Sequence, residues 1–134
     1  MIESIRVATG LTTGGAGSST ANNTSTHPVT GKILAVILEY LGSPPAGSTD
    51  VVIATSGQNH PAITLLTITD AATDNMFLVR HKVVDEAGAN ISYETSNAKD
   101  IHDSPVVADY IKVTISQAND ADEVVAVILY EAGR

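Results

Sequence analysis

Residues 35–40 read AVILEY and residues 126–131 read AVILYE, so nearly the same apolar hexapeptide stands near both ends of a 134-residue chain. Both copies are rich in β-branched and aliphatic residues, which favour strands. Neither copy alternates apolar with polar residues, as a strand with one solvent-facing side does. We therefore expect each strand to be buried on both faces, or buried on one face and covered by another subunit on the other.

The two hexapeptides belong to similar strand–loop–strand units. Residues 33–55 contain ILAVILEY and then VVIAT, and residues 110–130 contain YIKVTI and then VVAVILY. One interpretation is a pair of similar hairpins that pair centrally in the domain. The alternative is that valine-rich strands simply look alike.

The rest of the chain also predicts short strands. Turn-forming residues bound runs of β-branched residues at intervals near ten, and no window keeps a helical stripe over three turns. The predicted strands are residues 33–41, 51–55, 62–69, 76–84, 91–94 (a short edge strand), 106–116 and 124–131. The predicted fold is all-β: a single-domain β-sandwich, jelly-roll-like, with seven or eight short strands.

Residues 1–30 differ in composition from residues 31–134, which form the predicted sandwich domain. Residues 2–8 alternate as a short strand does, whereas residues 9–30 are almost all Thr, Ser, Gly, Asn and Ala. Such a segment buries little apolar surface against a high chain entropy. We therefore expect a flexible arm that a partner orders. The assembly residues predicted for this arm are Ile2, Ile5, Val7, Leu11 and Val29.

Charge and composition exclude several classes of function. The chain has no cysteine, so it has neither a disulfide framework nor a thiol nucleophile. Its net charge of −8 repels phosphate groups, so we expect no nucleic-acid partner and no binding to anionic membranes. The N-terminal residues carry no long apolar stretch, so we expect no secretory signal.

No motif predicts catalysis or a cofactor. The glycine-rich residues 13–18 lack the lysine of a phosphate-binding loop. Glu39, Asp109 and Glu131 lie in or beside apolar strands and could supply a glycosidase pair, but aromatic residues that stack on sugars are scarce. We therefore expect no enzyme, no catalytic residues and no cofactor.

Metal binding is not predicted either. Two turns, residues 70–75 and 119–123, are rich in Asp and Asn, but neither follows the EF-hand pattern, and such residues also favour turns. The four histidines show no spacing typical of a metal site. They are His27, His60, His81 and His102.

These features favour an assembly component, because apolar strands can close a symmetric oligomer. Residues from both hexapeptides are predicted to serve either the core or an oligomer contact. They are Val36, Leu38, Tyr40, Val127, Leu129 and Tyr130.

Four strand motifs resemble small proteins encoded in the structural-gene clusters of tailed bacteriophages. They are the Glu39–Tyr40 pair that ends a strand, the strand Thr64–Thr69, the hairpin Arg80–Gly88 and the strand Ala108–Ile115. The resemblance covers residues 31–131. It implies a virion structural protein, most simply a capsid decoration (cement) protein that is made in the host cytoplasm and binds the capsid exterior.

The same resemblance implies two partners: the major capsid protein and further copies of the chain in a homotrimer. A tail or head–tail connector component would share the fold and the arm but form a ring of different order. A small carbohydrate-binding β-sandwich module is a further alternative, and it would require exposed aromatic side chains.

Overall fold

In a computed structural model of the chain, residues 1–42, 44–92 and 100–133 are described. They form strands joined by turns and loops, and the described residues contain no α-helix. The strands are β1 (Ile2–Ala8), β2 (Ser19–Thr24), β3 (Val29–Leu41), β4 (Asp50–Thr55), β5 (Thr64–Ile68), β6 (Asn75–Leu78), β7 (His81–Lys82), β8 (His102–Asp103), β9 (Val106–Asp109), β10 (Ile111–Ala118) and β11 (Glu123–Ala132).

Two antiparallel sheets enclose the core. The five-stranded sheet has the order β1-β11-β3-β6, with β9 paired to the first residues of β3, and the four-stranded sheet has the order β2-β10-β4-β5. The short strands β7 and β8 form a separate ribbon. In chain order the eight strands of the two main orders alternate between the sheets, except that β4 and β5 are paired in the same sheet, as in a jelly roll. The predicted all-β sandwich is confirmed, and its order is of jelly-roll type.

The two hexapeptides pair with each other at the centre of the five-stranded sheet. Strands β3 and β11 run antiparallel, so that Ile37 faces Val127 and Val36 faces Ile128. The similar units are not hairpins, because β3 and β4 lie in different sheets, as do β10 and β11. They do pair centrally, since β3 pairs with β11 in one sheet and β4 pairs with β10 in the other.

The core lies between the sheets and is almost entirely aliphatic. Both sheets contribute alternate side chains, which pack into one cluster of buried residues. The largest fully buried side chains are Ile33, Leu38, Ile53, Ile111, Ile115 and Ile128.

The predicted strand over residues 2–8 is confirmed as β1, but the predicted flexible arm over residues 9–30 is wrong for part of its length, because residues 19–24 form β2 and β3 begins at residue 29. Strand β1 pairs with β11 over seven residues, and β2 pairs with β10. Backbone N–H and C=O groups form such ladders whatever the side chains are, so a polar composition does not exclude a strand. The hydroxyl groups of Thr9, Thr12 and Ser25 are buried and hydrogen-bonded, which offsets their desolvation.

The residues predicted for the arm divide between core and surface. Val7 and Val29 are buried in the core, and Ile5 packs against it. They therefore stabilise the sandwich of their own chain and are not free to order on a partner. Ile2 and Leu11 are exposed.

Two predicted strands are interrupted in the structure. Residues 76–84 divide into β6 and β7, because Val79 turns into the core between them. Residues 106–116 divide at Tyr110, where β9 pairs with β3 and β10 joins the other sheet. Residues 93 and 94 of the predicted edge strand 91–94 lie outside the described residues. No helix in the described ranges could cross a membrane.

Candidate functional site

The outward side of the five-stranded sheet is unusually apolar. Val36, Leu38 and Ile128 point into the core, so their neighbours Ile37 and Val127 point away from it. We call this side the outer face. Its apolar residues, outside the core cluster, are Ile2, Ala8, Ala35, Ile37, Leu41, Met76, Leu78, Val106, Ala108, Val125, Val127 and Leu129.

The apolar side chains along the edge of the outer face beside β3 are open to solvent. Met76 is 55% exposed, Leu78 61% and Val106 67%. They occupy β6 and β9, which pair with successive parts of β3 and so form one line along its edge. The chain leaves this apolar line uncovered, which is typical of a surface that another molecule covers.

The centre of the outer face is better covered but still apolar. Ala35 and Val125 are buried, whereas Ile37, Val127 and Leu129 are half-buried. Five charged residues belong to the same face by register: Arg6 on β1, Lys32 and Glu39 on β3, and Glu123 and Glu131 on β11. The outer face is therefore an apolar sheet surface with two positive and three negative charges.

The structure separates the six residues predicted for core or oligomer contacts. Val36 and Leu38 are fully buried, and Tyr40 and Tyr130 pack against the same core. Only two of the six lie on the outer face, namely Val127 and Leu129.

Tyr40 and Tyr130 are fixed by hydrogen bonds. The Tyr40 hydroxyl donates to the carbonyl oxygen of Ala71, and burial, with the nearby negative charges of Asp74 and Asp122, raises the pKa of Tyr40 to about 12. The Tyr130 hydroxyl donates to Glu3 Oε2 at 2.9 Å; this bond, burial and the Glu3 charge raise the pKa of Tyr130. Both phenols therefore stay protonated at neutral pH.

One cleft opens beside the Glu3–Tyr130 pair. It has a volume of about 320 Å³ and is lined by Glu3, Pro28, Thr30, Tyr130, Ala132 and Gly133. The Glu3 carboxylate accepts the hydrogen bond of Tyr130, and the raised pKa of Tyr130 disfavours the phenolate that could act as a nucleophile. This cleft offers polar contacts but no arrangement for nucleophilic catalysis.

A second cleft, of about 200 Å³, lies beside Asp109. It is lined by Thr55, His60, Pro61, Ile63 and residues 106–109. Burial opposes ionisation of Asp109, but hydrogen bonds from the backbone N–H groups of Tyr110 and Asn59 and from Ser56 Oγ prevail, and the pKa of Asp109 is lowered. A carboxylate stabilised in this way holds the loop 56–60 and is a poor general acid.

The predicted carboxylates do not form a glycosidase pair. Glu39 lies on β3, opposite Val125. Glu131 lies on β11, opposite Lys32, and Lys32 is seven residues before Glu39 along β3. At about 3.3 Å per residue they are roughly 20 Å apart, whereas such pairs are about 5–10 Å apart. Asp109 is occupied by the loop 56–60.

The acidic turns are used for local hydrogen bonds. Asp74 Oδ1 accepts from the backbone N–H of Tyr40, and Asp122 Oδ2 accepts from that of Asn119. Among the described residues, no group of three or more His, Asp or Glu side chains could hold a metal ion. In the β7–β8 ribbon His81 faces Asp103, and its Nε2 lies 2.8 Å from the carbonyl oxygen of Leu65.

The sequence analysis missed Met76, Leu78 and Val106 as surface residues. The segments MFLVRHKVV and VVADYIKVTIS were each predicted as one continuous strand. The signal that could have found them is the absence of a strict period of two in both segments, which indicates that each strand is interrupted.

Comparisons with known proteins return only structural likenesses. No family model matches the chain, and no curated protein matches it. One family 29 carbohydrate-binding module variant aligns with a TM-score of 0.48 at 9% identity, covering 99% of this chain and 93% of that one. Another variant gives 0.44 at 10%, covering 97% and 91%. A family 16 carbohydrate-binding module gives 0.35 at 14%, covering 91% and 76%. Likenesses this low do not indicate what the chain binds.

Proposed function

We propose that this chain is a non-enzymatic virion structural protein of a tailed bacteriophage, a capsid decoration protein that bridges subunits of the shell. One observation carries the proposal: the sandwich leaves an apolar outer face with Met76, Leu78 and Val106 more than half exposed. A domain that functions alone gains nothing from such a surface, whereas an assembly component buries it.

The strand motifs that resemble phage structural proteins support the same role. In the structure Glu39 and Tyr40 lie in β3, residues 64–68 form β5, and residues 106–109 and 111–118 form β9 and β10, whereas the hairpin motif contributes β7 of the separate ribbon. The proposed mechanism is mechanical. Each copy contacts neighbouring capsid subunits, and many weak contacts together resist pressure from inside the shell.

The N-terminal segment cannot act as the long free arm that the composition suggested. Residues 2–8 are held by β11 and residues 19–24 by β10. The contacts with the shell therefore come from the surface of the folded sandwich in this proposal. The parts of the segment that remain available include the exposed turn 13–18 and the side chains of Ile2 and Leu11.

The carbohydrate-binding alternative has less support from the described side chains. Tyr40, Phe77 and Tyr130 all pack against the core, so among the described aromatic residues only the half-buried Tyr110 lies outside the core cluster, and one ring does not form a flat platform for a sugar chain. A tail or connector role differs from decoration only in the partner and in the order of the ring, and the binding experiment below separates these roles.

The experiment is co-sedimentation with capsids. The full chain is mixed with DNA-free shells assembled from the major capsid protein of the same genome, and separately with tail tubes from that genome. The decoration role predicts saturable binding to shells at a fixed number of copies per capsid subunit, together with a higher melting temperature of the shell. Binding to tails alone would favour the connector role.

The matched control is binding to soluble polysaccharides, measured by retarded migration in gels that contain them. The decoration role predicts no retardation by any of them. If the chain is retarded by a polysaccharide and ignores both shells and tails, the proposal is wrong. The proposal is also wrong if the genome that encodes this chain encodes no capsid protein.

A further inference from the structure

Two charged residues flank the apolar centre of the outer face. Arg6 projects from β1, opposite Val127, and Glu39 projects from β3, opposite Val125. Both side chains are exposed, and neither forms an ion pair with any part of the chain that the structure describes. One side of the apolar stripe on β11 is thus bordered by an unpaired cation and the other by an unpaired anion.

Two further charges of the outer face balance each other. Lys32 and Glu131 are cross-strand partners on β3 and β11, and Lys32 also forms an ion pair with Asp103 at 3.9 Å. Glu123, opposite Leu41 at the start of β11, is the fifth charge, so the outer face carries −1 whereas the chain as a whole carries −8. Most of the acidic excess lies elsewhere, so the repulsion of a second acidic copy at this surface is limited to Glu123.

We propose that the outer face binds the outer face of a second copy of this chain, around a two-fold axis that runs along β11. A two-fold contact places the same surface on both sides, so it requires a surface complementary to itself. An apolar stripe with a cation on one side and an anion on the other meets this requirement, because the two-fold rotation places the cation side of one copy over the anion side of the other.

The register gives the contacts. With the axis along β11, the β11 strands of the two copies stack, so Val127 and Leu129 meet their counterparts, and β1 of one copy lies over β3 of the other. Arg6 is level with Ile37 of the second copy. Glu39 of that copy lies two residues further on, about 7 Å along the strand, within reach of a long arginine side chain.

Symmetry forms this ion pair twice. Two packed sheets lie about 10 Å apart, so side chains from both sides fill the space between them. Met76 and Leu78 then lie at the border of the contact, where the β1 edge of the second copy ends. Aligned packing of two sheets is the arrangement that sandwiches already use internally.

The inference deepens the proposed function by naming one partner of the assembly surface, but it can be tested without a capsid. It also differs from the homotrimer that the resemblance implies. The test is the mass in solution of the full chain over a concentration series, by sedimentation equilibrium. We expect twice the 13.9 kDa of one chain; a monomer at every concentration, or a trimer, would overturn the two-fold contact.

Charge reversal tests the pairing itself. Arg6→Glu and Glu39→Arg each place like charges together twice, so each weakens the dimer by about ten-fold or more. The double variant restores the opposite charges and returns the dissociation constant to within about three-fold of the original protein. Both residues are exposed, so the variants keep the fold, which circular dichroism checks.

Lys112→Glu is the matched control, because it makes the same charge change on β10 of the other sheet. It leaves the dimer unchanged in this proposal. If Arg6→Glu weakens the dimer no more than Lys112→Glu does, or if the double variant fails to recover, the pairing is wrong. Shell binding by a monomeric Arg6→Glu variant shows whether decoration survives loss of the dimer, so the two proposals can fail separately.

Discussion

The hydroxyl of Thr12 accepts a hydrogen bond from the backbone N–H of Asp122, 2.8 Å away and 110 residues later in the chain. The same hydroxyl donates to the carbonyl oxygen of Asn119 at 2.6 Å, and the Thr12 N–H donates to that of Asp122 at 2.8 Å. Thr12 is buried. One polar residue thus fastens the N-terminal segment to the loop between β10 and β11.

Thr12→Val is expected to destabilise the fold. Valine keeps the shape but leaves the N–H of Asp122 and the carbonyl of Asn119 with only the long hydrogen bond of 3.4 Å between them, at a cost of about 2 kcal/mol. Urea unfolding followed by circular dichroism measures the free energy of unfolding. Thr13→Val, at an exposed neighbour, is the control and is expected to change it by less than about 0.5 kcal/mol. Equal effects of the two substitutions would contradict the role of Thr12.

Thr49→Val, unlike Thr12→Val, is not expected to lower the free energy of unfolding. Thr49 is fully buried, and its hydroxyl has no hydrogen-bond partner among the residues that the structure describes. Removing an unsatisfied buried hydroxyl while keeping the shape leaves stability unchanged or raises it by up to about 1 kcal/mol. The same urea titration measures the free energy of unfolding of Thr49→Val. A loss of stability as large as that of Thr12→Val would show that the Thr49 hydroxyl has a partner.

These two threonines show where sequence reasoning stops. The sequence predicted an all-β sandwich because β-branched runs and turn residues are local signals. It treated residues 9–30 as a free arm because composition reports side-chain polarity, whereas backbone pairing and the partners of buried hydroxyls depend on residues about a hundred positions away. Thr12 and Thr49 are alike in sequence and differ only in such partners.

The outer face was hidden for a different reason. Strand β3 carries a bulge, since Leu129 faces Ala35 and Tyr130 faces Ile33. Both Ile33 and Val36 therefore point inward, and the alternation shifts by one residue between them. In a strand that is apolar on both sides, no polar residue marks this shift, so the sequence could name the strand but not which of its residues face out.

Gly31→Ala is expected to destabilise the chain severely. Gly31 has a φ of +143°, and a Cβ there would collide with the backbone carbonyl of Glu131. Because the obstacle is backbone of the paired strand β11, the sheet itself must shift, at a cost of about 3 kcal/mol or more. The measurement is the free energy of unfolding, or the soluble yield if the variant does not fold.

Gly88→Ala separates the collision from backbone strain. Gly88 also has a positive φ, +86°, but nothing lies within 4 Å of a Cβ built there. This control is expected to cost only about 1 kcal/mol, from the left-handed backbone alone. Similar losses for Gly31→Ala and Gly88→Ala would show that β11 does not crowd Gly31.

Asp109→Asn is expected to destabilise the fold in a manner that depends on pH. Although burial disfavours the charged form, hydrogen bonds from the backbone N–H groups of Tyr110 and Asn59 and from Ser56 lower the pKa of Asp109 below its ordinary value of 3.8. A carboxylate with a lowered folded pKa stabilises the protein above the unfolded pKa, and this stabilisation is lost as the pH falls through the folded value. The difference in unfolding free energy between the original protein and Asp109→Asn should therefore be largest at pH 7 and shrink towards pH 3.

Asp120→Asn is the control for this pH series. Asp120 is exposed in the turn before β11, and its carboxylate makes no hydrogen bond with any described residue. Its substitution is expected to change the unfolding free energy little at either pH. Urea titrations at pH 7 and pH 3 on all three proteins give the comparison. A gap between the original protein and Asp109→Asn that stays constant or widens at pH 3 would mean that the charge of Asp109 does not hold the loop 56–60.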